Sequence, residues 1–152
     1  MGLSLHSPIF SNGGAIPDRY SRLGRNLSPP LRWTDAPAAT KSFIMVMEDA
    51  DAPPGAFWHW TLYDINAQQS ELREGAGAES PTHAQAVNDF GRACYDGPQP
   101  SADEGVHHYR FRLAALDVPH LELPPDARAD DAWNAAQPHV IEEAELVGAF
   151  QR

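Results

Sequence analysis

Fourteen prolines and eleven glycines are spread through the 152 residues of this chain, and they rule out most long regular elements. Proline breaks helix interiors and cannot donate to a central ladder, while glycine punctuates both. What survives between them is short. The run "SFIMVM" (42–47) is continuously apolar with β-branched and aromatic members, as a strand buried on both faces requires. "FWHWTLYDI" (57–65) is aromatic-rich and reads as the next strand. "HHYRFRLAAL" (107–116) alternates, with His107, Tyr109, Phe111 and Leu113 on one side and His108, Arg110 and Arg112 on the other. Weaker strand signals lie at 3–6 and 145–150.

Helical character is confined to 130 to about 143, which opens with acids, as a helix N-terminus prefers. Pro138 inside it predicts a kink or two short helices. The stretches 11–41 and 66–106 read as loops, and loops of such length are more often functional than idle. Short strands with little helix predict an all-β-dominated fold, an antiparallel sandwich or barrel with a short C-terminal helical segment. At this length a single domain over 1–152 is the simplest expectation. Such a chain removes roughly 68–70% of its unfolded surface from water and needs no disulfide or metal staple.

The net charge of −10, from 21 acids and 11 bases, repels nucleic acid and anionic membrane surfaces. The bases form no stripe, so a nucleic-acid role is disfavoured, and any bound anion must sit in a local pocket. The single cysteine, Cys94, has no internal partner, which suits a reducing compartment. No apolar stretch approaches a membrane span, and "MGLSLHSPIF" lacks a basic n-region and an apolar h-region. A cytoplasmic location is the expectation.

The chemistry concentrates in "MEDADAPPGAFWHW" (47–60). Glu48, Asp49 and Asp51 follow a core strand, and His59 stands between two tryptophans; such groups are costly there unless paired. Strand periodicity puts Phe57, His59, Thr61 and Tyr63 on one face of 57–65, with Trp58, Trp60 and Leu62 on the other. Pro53 and Pro54 favour an extended approach in which Asp49 and Asp51 point the same way. Convergence of these segments with His107 and Tyr109 at one sandwich edge would form a small polar pocket. Each residue also has a plainer role open to it: His59 as a satisfied core histidine, the aspartates as Asx-turn caps, Tyr109 as a core aromatic. His107 and His108 lie on opposite faces and cannot act as a bidentate pair. No G-x-S-x-G, Walker loop, G-x-G-x-x-G, HExxH or paired-cysteine motif occurs. Cys94 reads as a small core filler.

Taken together, seven segments in order resemble the phosphatidylethanolamine-binding protein family. "DADAP" (49–53) looks like its D-P-D-A-P box, and "HWTLYDI" (59–65) resembles the H-W-x-x-x-N-I strand. "NDFGRACYDGPQP" (88–100) resembles the G-x-x-G-P-x-P-P loop, and "HHYRFRLAALD" (107–117) the H-R-Y-x-F-x-x-x-A-L-D strand. "NLSPPLRW" (26–33) and "PAATKSF" (37–43) are similar to two upstream segments, and "HVIEEAELVGAF" (139–150) to the closing helix-to-strand segment. The match runs from about 7 to 150, and its compact length resembles the prokaryotic YbhB/YbcL, Raf-kinase-inhibitor-like branch.

That resemblance implies a sandwich of two antiparallel sheets with a small anion pocket at one end, taking phosphate, phosphoryl head groups or small carboxylates. Carried over position by position, the pocket residues are Asp49, Pro53, His59, His107 and Tyr109, with Gly97 and Pro98 in the rim loop. Asp51, Phe57 and Tyr95 are expected to support them. Asp49 would orient an imidazole, loop amides near Gly97 would approach the anion, and binding would strengthen as pH falls through the histidine range. No cofactor or metal is expected, and a homodimer is compatible with the branch. This chain departs from the pattern at Ala50, Cys94, Gln99, Ser101 and His108. The leading expectation is a non-enzymatic binding module that takes a small anion and through it regulates a partner protein. The alternative is an acid/base or metal-assisted hydrolase or isomerase using the same pocket; a protein–protein scaffold with a vestigial pocket is the third class.

Overall fold

The apolar run at 42–47 becomes strand β3 (Ser42–Asp49), buried at all eight positions. The structure, a computed structural model, describes residues 2–53, 55–80 and 84–152. Pro54, read above as favouring an extended approach, lies outside the described residues. Strand β3 pairs antiparallel with β4 (Phe57–Asn66) on one side and β7 (His107–Leu116) on the other. The short β6 (Ala84–Gln85) adds to β4, and β8 (Val140–Phe150) to β7, giving the order β6-β4-β3-β7-β8. A smaller antiparallel sheet, order β1-β2-β5, comprises β1 (Ser4–His6), β2 (Leu31–Thr34) and β5 (Glu71–Leu72).

The two faces of β3 are buried by different layers, which is why its sequence shows no alternation. Phe43, Met45 and Met47 pack with Leu5, Leu31, Trp33 and Leu72 of the small sheet, forming the sandwich core. Ile44 and Val46 pack with Ala132, Trp133 and Ala136 of helix α1 (Ala129–Ala136), forming a second core outside the sandwich. Antiparallel sheets with one short C-terminal helix are thus the observed architecture.

Three expectations need correction. The helix ends at Ala136, not near 143: a single 3-10 turn (Gln137–His139) carries Pro138, and β8 begins at Val140. The glutamates and alanines of 141–145 are better helix than strand formers, but pairing with β7 from His107 to Leu116 overrides that preference. The presumed loops contain β2, β5 and β6 among their described residues. The faces of β4 also change partway along. Register slips between the pairs Met47↔Trp60 and Glu48↔Trp58, leaving His59 as an extra residue. This bulge puts Phe57, His59, Trp60 and Leu62 on the sandwich side, with Trp58 and Tyr63 packed on the helix side.

Candidate functional site

Sheet order brings the chemistry together. Asp49 ends the central strand, and the ladders place it directly opposite Phe57 on β4 and Tyr109 on β7. All three side chains emerge on the sandwich face. There they meet His59, His107 and Pro53 around a cavity of about 190 Å³, closed by Ala52, Phe90, Gln99, Pro100 and Glu104. Drug-sized ligands occupy roughly 300–1,000 Å³, so this cavity suits a smaller group.

The hydrogen bonds assign the imidazole protons. His107 Nδ1 lies 2.6 Å from Asp49 Oδ2. His59 Nδ1 lies 2.7 Å from the Asp96 carbonyl oxygen. Neither acceptor can donate, apart from a protonated carboxyl, so each Nδ1 carries a proton and each Nε2 is left as the free ring nitrogen. Burial pushes the His59 ring below the ordinary imidazole range, against the opposing pull of the Asp96 carbonyl and nearby carboxylates. Its ring is further held edge-on by Tyr109 at 5.3 Å and Phe90 at 5.4 Å.

Tyr109 is fully buried, and burial followed by the Asp49 charge pushes its phenol far above the ordinary range. The Asp49 carboxylate is close enough to disfavour the phenolate, yet no hydrogen bond of acceptable geometry satisfies the hydroxyl among the described residues. A buried, unsatisfied hydroxyl is costly in water-free surroundings. Tyr109 is among the residues that line the cavity.

The three acids of the opening motif have three different partners. Asp49 serves the cavity, and its Oδ1 also accepts from the Asp51 amide at 2.9 Å. Asp51 points away: its Oδ2 accepts from the His108 amide at 2.7 Å and lies 2.8 Å from His108 Nδ1. Glu48 faces the helix side, accepting from Arg112 at 2.6 Å and Arg110 at 3.4 Å. Asp51 is therefore outside the cavity, and the two aspartates do not act together on one ligand.

Gly97, Pro98 and Tyr95 also stand behind the wall rather than on it. The Gly97 amide is committed to Asn26 Oδ1 at 2.7 Å, and a Cβ there would collide with the Tyr20 carbonyl. The Pro98 carbonyl accepts from Arg22, and the buried Tyr95 hydroxyl donates to the Tyr20 carbonyl at 2.7 Å. These contacts anchor the segment that presents the Asp96 carbonyl to His59. Asp96 itself is buried, accepting from Asn88 Nδ2 at 2.8 Å and Asn26 Nδ2 at 3.0 Å, with Arg92 at 3.3 Å. Sequence reasoning missed Asp96 as an anchor and Phe90, Pro100 and Glu104 as wall residues. All four lie in loops, where no periodicity assigns a direction. Among the described residues, no three His, Cys, Asp or Glu side chains gather as metal ligands.

Fold and cavity together define a small antiparallel sandwich with a polar pocket at one end of its larger sheet. The family model for phosphatidylethanolamine-binding protein matches residues 6–151, and the chain belongs to that family. A "UPF0098 protein" of Aquifex aeolicus is 40% identical over 152 residues, spanning 99% of this chain and 89% of that protein. A Mycobacterium tuberculosis relative named "Putative lipoprotein LppC" is 37% identical over 150 residues, spanning 98% and 72%. The crystal structure of Escherichia coli YbcL, described as a new member of the mammalian PEBP family, matches with a TM-score of 0.91. It is 28% identical and covers 100% of this chain and 99% of that one. Among the described residues, no helix is long and apolar enough to cross a membrane.

Proposed function

We propose that this protein is a non-enzymatic binding protein whose end pocket takes a small oxyanion: phosphate, a phosphoryl head group or a small carboxylate. The observation that carries the reading is the Tyr109 hydroxyl, buried without a partner between two histidines whose Nδ1 positions are already committed. An oxyanion accepts from that hydroxyl. The phenol's raised pKa keeps it protonated, so it donates and does not act as a base. The same fact favours binding over acid–base catalysis. The family's name supports a phosphoryl head group as one ligand source. The unpaired Cys94 supports a reducing, cytoplasmic setting.

The ring tautomers add a proton to the ligand equation. Because Nδ1–H is committed on both rings, a neutral Nε2 can only accept. An anion therefore engages Nε2 either after a proton is added to the ring or through an acidic hydroxyl of its own, which inorganic phosphate already carries at neutral pH. The first route takes up a proton, so where it operates affinity rises as pH falls.

Imidazole ¹⁵N resonances followed during titration with phosphate and with phosphorylethanolamine, at about pH 5.5 and about pH 7.5, test this. Both His59 and His107 should shift saturably, with tighter binding at the lower pH. In Asp49→Asn, the side-chain oxygen remains on the Asp51 amide, so the NH₂ faces His107 Nδ1. That ring then carries its proton on Nε2 and can donate to the anion directly. If neither ring of the wild type responds at millimolar ligand, the pocket reading is wrong.

A further inference from the structure

An anion pocket that contains a second, displaceable carboxylate needs explaining, and Glu104 is that carboxylate. The segment from Ser101 to Glu104 closes a tight turn: the Glu104 amide donates to the Ser101 carbonyl at 3.1 Å, and Glu104 Oε1 accepts from the Ser101 amide at 2.6 Å. This leaves Oε2 directed at the cavity, 3.8 Å from His107 Nε2. The separation is too long for a hydrogen bond but short for a Coulomb interaction. His107 thus has a carboxylate at each ring nitrogen. Asp49, at Nδ1, is buried and held within the sheet; Glu104, at Nε2, is a partly exposed side chain on a surface turn. The Ser101 amide, more than any other group, lowers the Glu104 pKa, so it remains ionised.

We propose that Glu104 is an internal competitor for the pocket, a carboxylate carried by the chain that covers the approach to His107 Nε2 and must move aside for a ligand anion. The proposal rests on the anion-pocket reading and adds its selectivity. A simple carboxylate only replaces one negative charge with another at that nitrogen. A phosphomonoester carries an acidic hydroxyl that can donate to Nε2 and further oxygens that can accept from Tyr109, so one group engages both. The pocket is therefore built to favour phosphomonoesters over carboxylates, and Glu104 sets the margin.

Glu104→Gln tests it, because the amide oxygen can still accept from the Ser101 amide while the charge is lost. Calorimetric titration with inorganic phosphate and with acetate should show both binding more tightly, phosphate by roughly three- to tenfold and acetate by more. The phosphate-over-acetate preference then narrows; a preference that stays level or widens overturns the claim that Glu104 sets it. Asp103→Asn removes a neighbouring exposed acid that does not line the cavity, and it should leave both affinities unchanged. Unchanged or weaker phosphate binding by Glu104→Gln, with the wild type still binding, overturns the proposal and leaves the pocket reading intact. An equal gain from Asp103→Asn also overturns it, since the effect is then a diffuse field. If neither wild type nor Glu104→Gln binds either anion, the pocket reading itself has failed and this proposal falls with it.

Discussion

Glu48 and Asp49 are neighbours in the chain, both are buried, and they face opposite sides of one sheet. On the helix side Glu48 meets two guanidinium groups. Those arginines continue outward to Glu143 at 3.0 Å and Glu145 at 2.6 Å, and Arg112 stacks over Trp133 at 4.4 Å. Each of these charges has a partner. On the sandwich side Asp49 meets one imidazole and one amide, beside a cavity and an unsatisfied hydroxyl. A buried acid alone says little about function. What distinguishes the two is whether the polar groups around it are saturated.

The contrast yields three expectations. Glu48→Ala takes from Arg112 its buried partner, leaving only Glu143, and should cost about 1–3 kcal/mol of stability. A denaturant midpoint would register that loss, while phosphate affinity should hold once the protein is folded; a parallel loss of binding would erase the distinction between the faces.

The second expectation concerns pH. Guanidinium groups keep their charge across the physiological range, whereas an imidazole does not. His59 is held below its ordinary value of about 6.5, so in the window beneath that value the unfolded chain binds a proton that the folded chain does not. Stability should fall as pH falls through that window, by up to about 1.4 kcal/mol per pH unit. Denaturant midpoints measured against pH should show a shallower slope in His59→Gln. An identical slope would mean that His59 is not the group responsible.

The smallest effect is expected at Tyr109. Tyr109→Phe removes a hydroxyl that has no partner, so stability should hold or rise by up to about 1 kcal/mol. Phosphate affinity should nevertheless drop about tenfold, the equivalent of one hydrogen bond. Destabilisation with unchanged affinity would place the hydroxyl in the fold rather than in the site.

The long strands were legible because their burial is continuous or alternating, and 42–47, 57–65 and 107–116 lie within β3, β4 and β7. Strand β2 has only four residues, and β5 and β6 two each, too few for a period to register. The start of β8 was hidden because its glutamates and alanines favour helix, and only a long-range ladder with β7 decides otherwise. Asp49, Pro53, His59, His107 and Tyr109 line the cavity, located by strand ends and a resemblance spanning most of the chain, and Phe57, expected as a support, lines it as well. Gly97, Pro98, Tyr95 and Asp51 were placed near it, and their committed hydrogen bonds show them supporting or standing apart. Phe90, Pro100 and Glu104 depend on how loops fold over the sheet end, and that information is tertiary.

The bulge at His59 carries a consequence for sequence change. From Trp60 to Leu62 β4 keeps step with the core strand, and the extra residue at His59 shifts the phase of what lies nearer the cavity. Deleting Trp58 would restore even alternation next to Trp60 and turn His59 toward the helix layer. The sandwich core would keep its register, yet the cavity would lose an imidazole. The site is thus encoded in the number of residues between core and turn as well as in their identity, and it tolerates many substitutions better than one change of length.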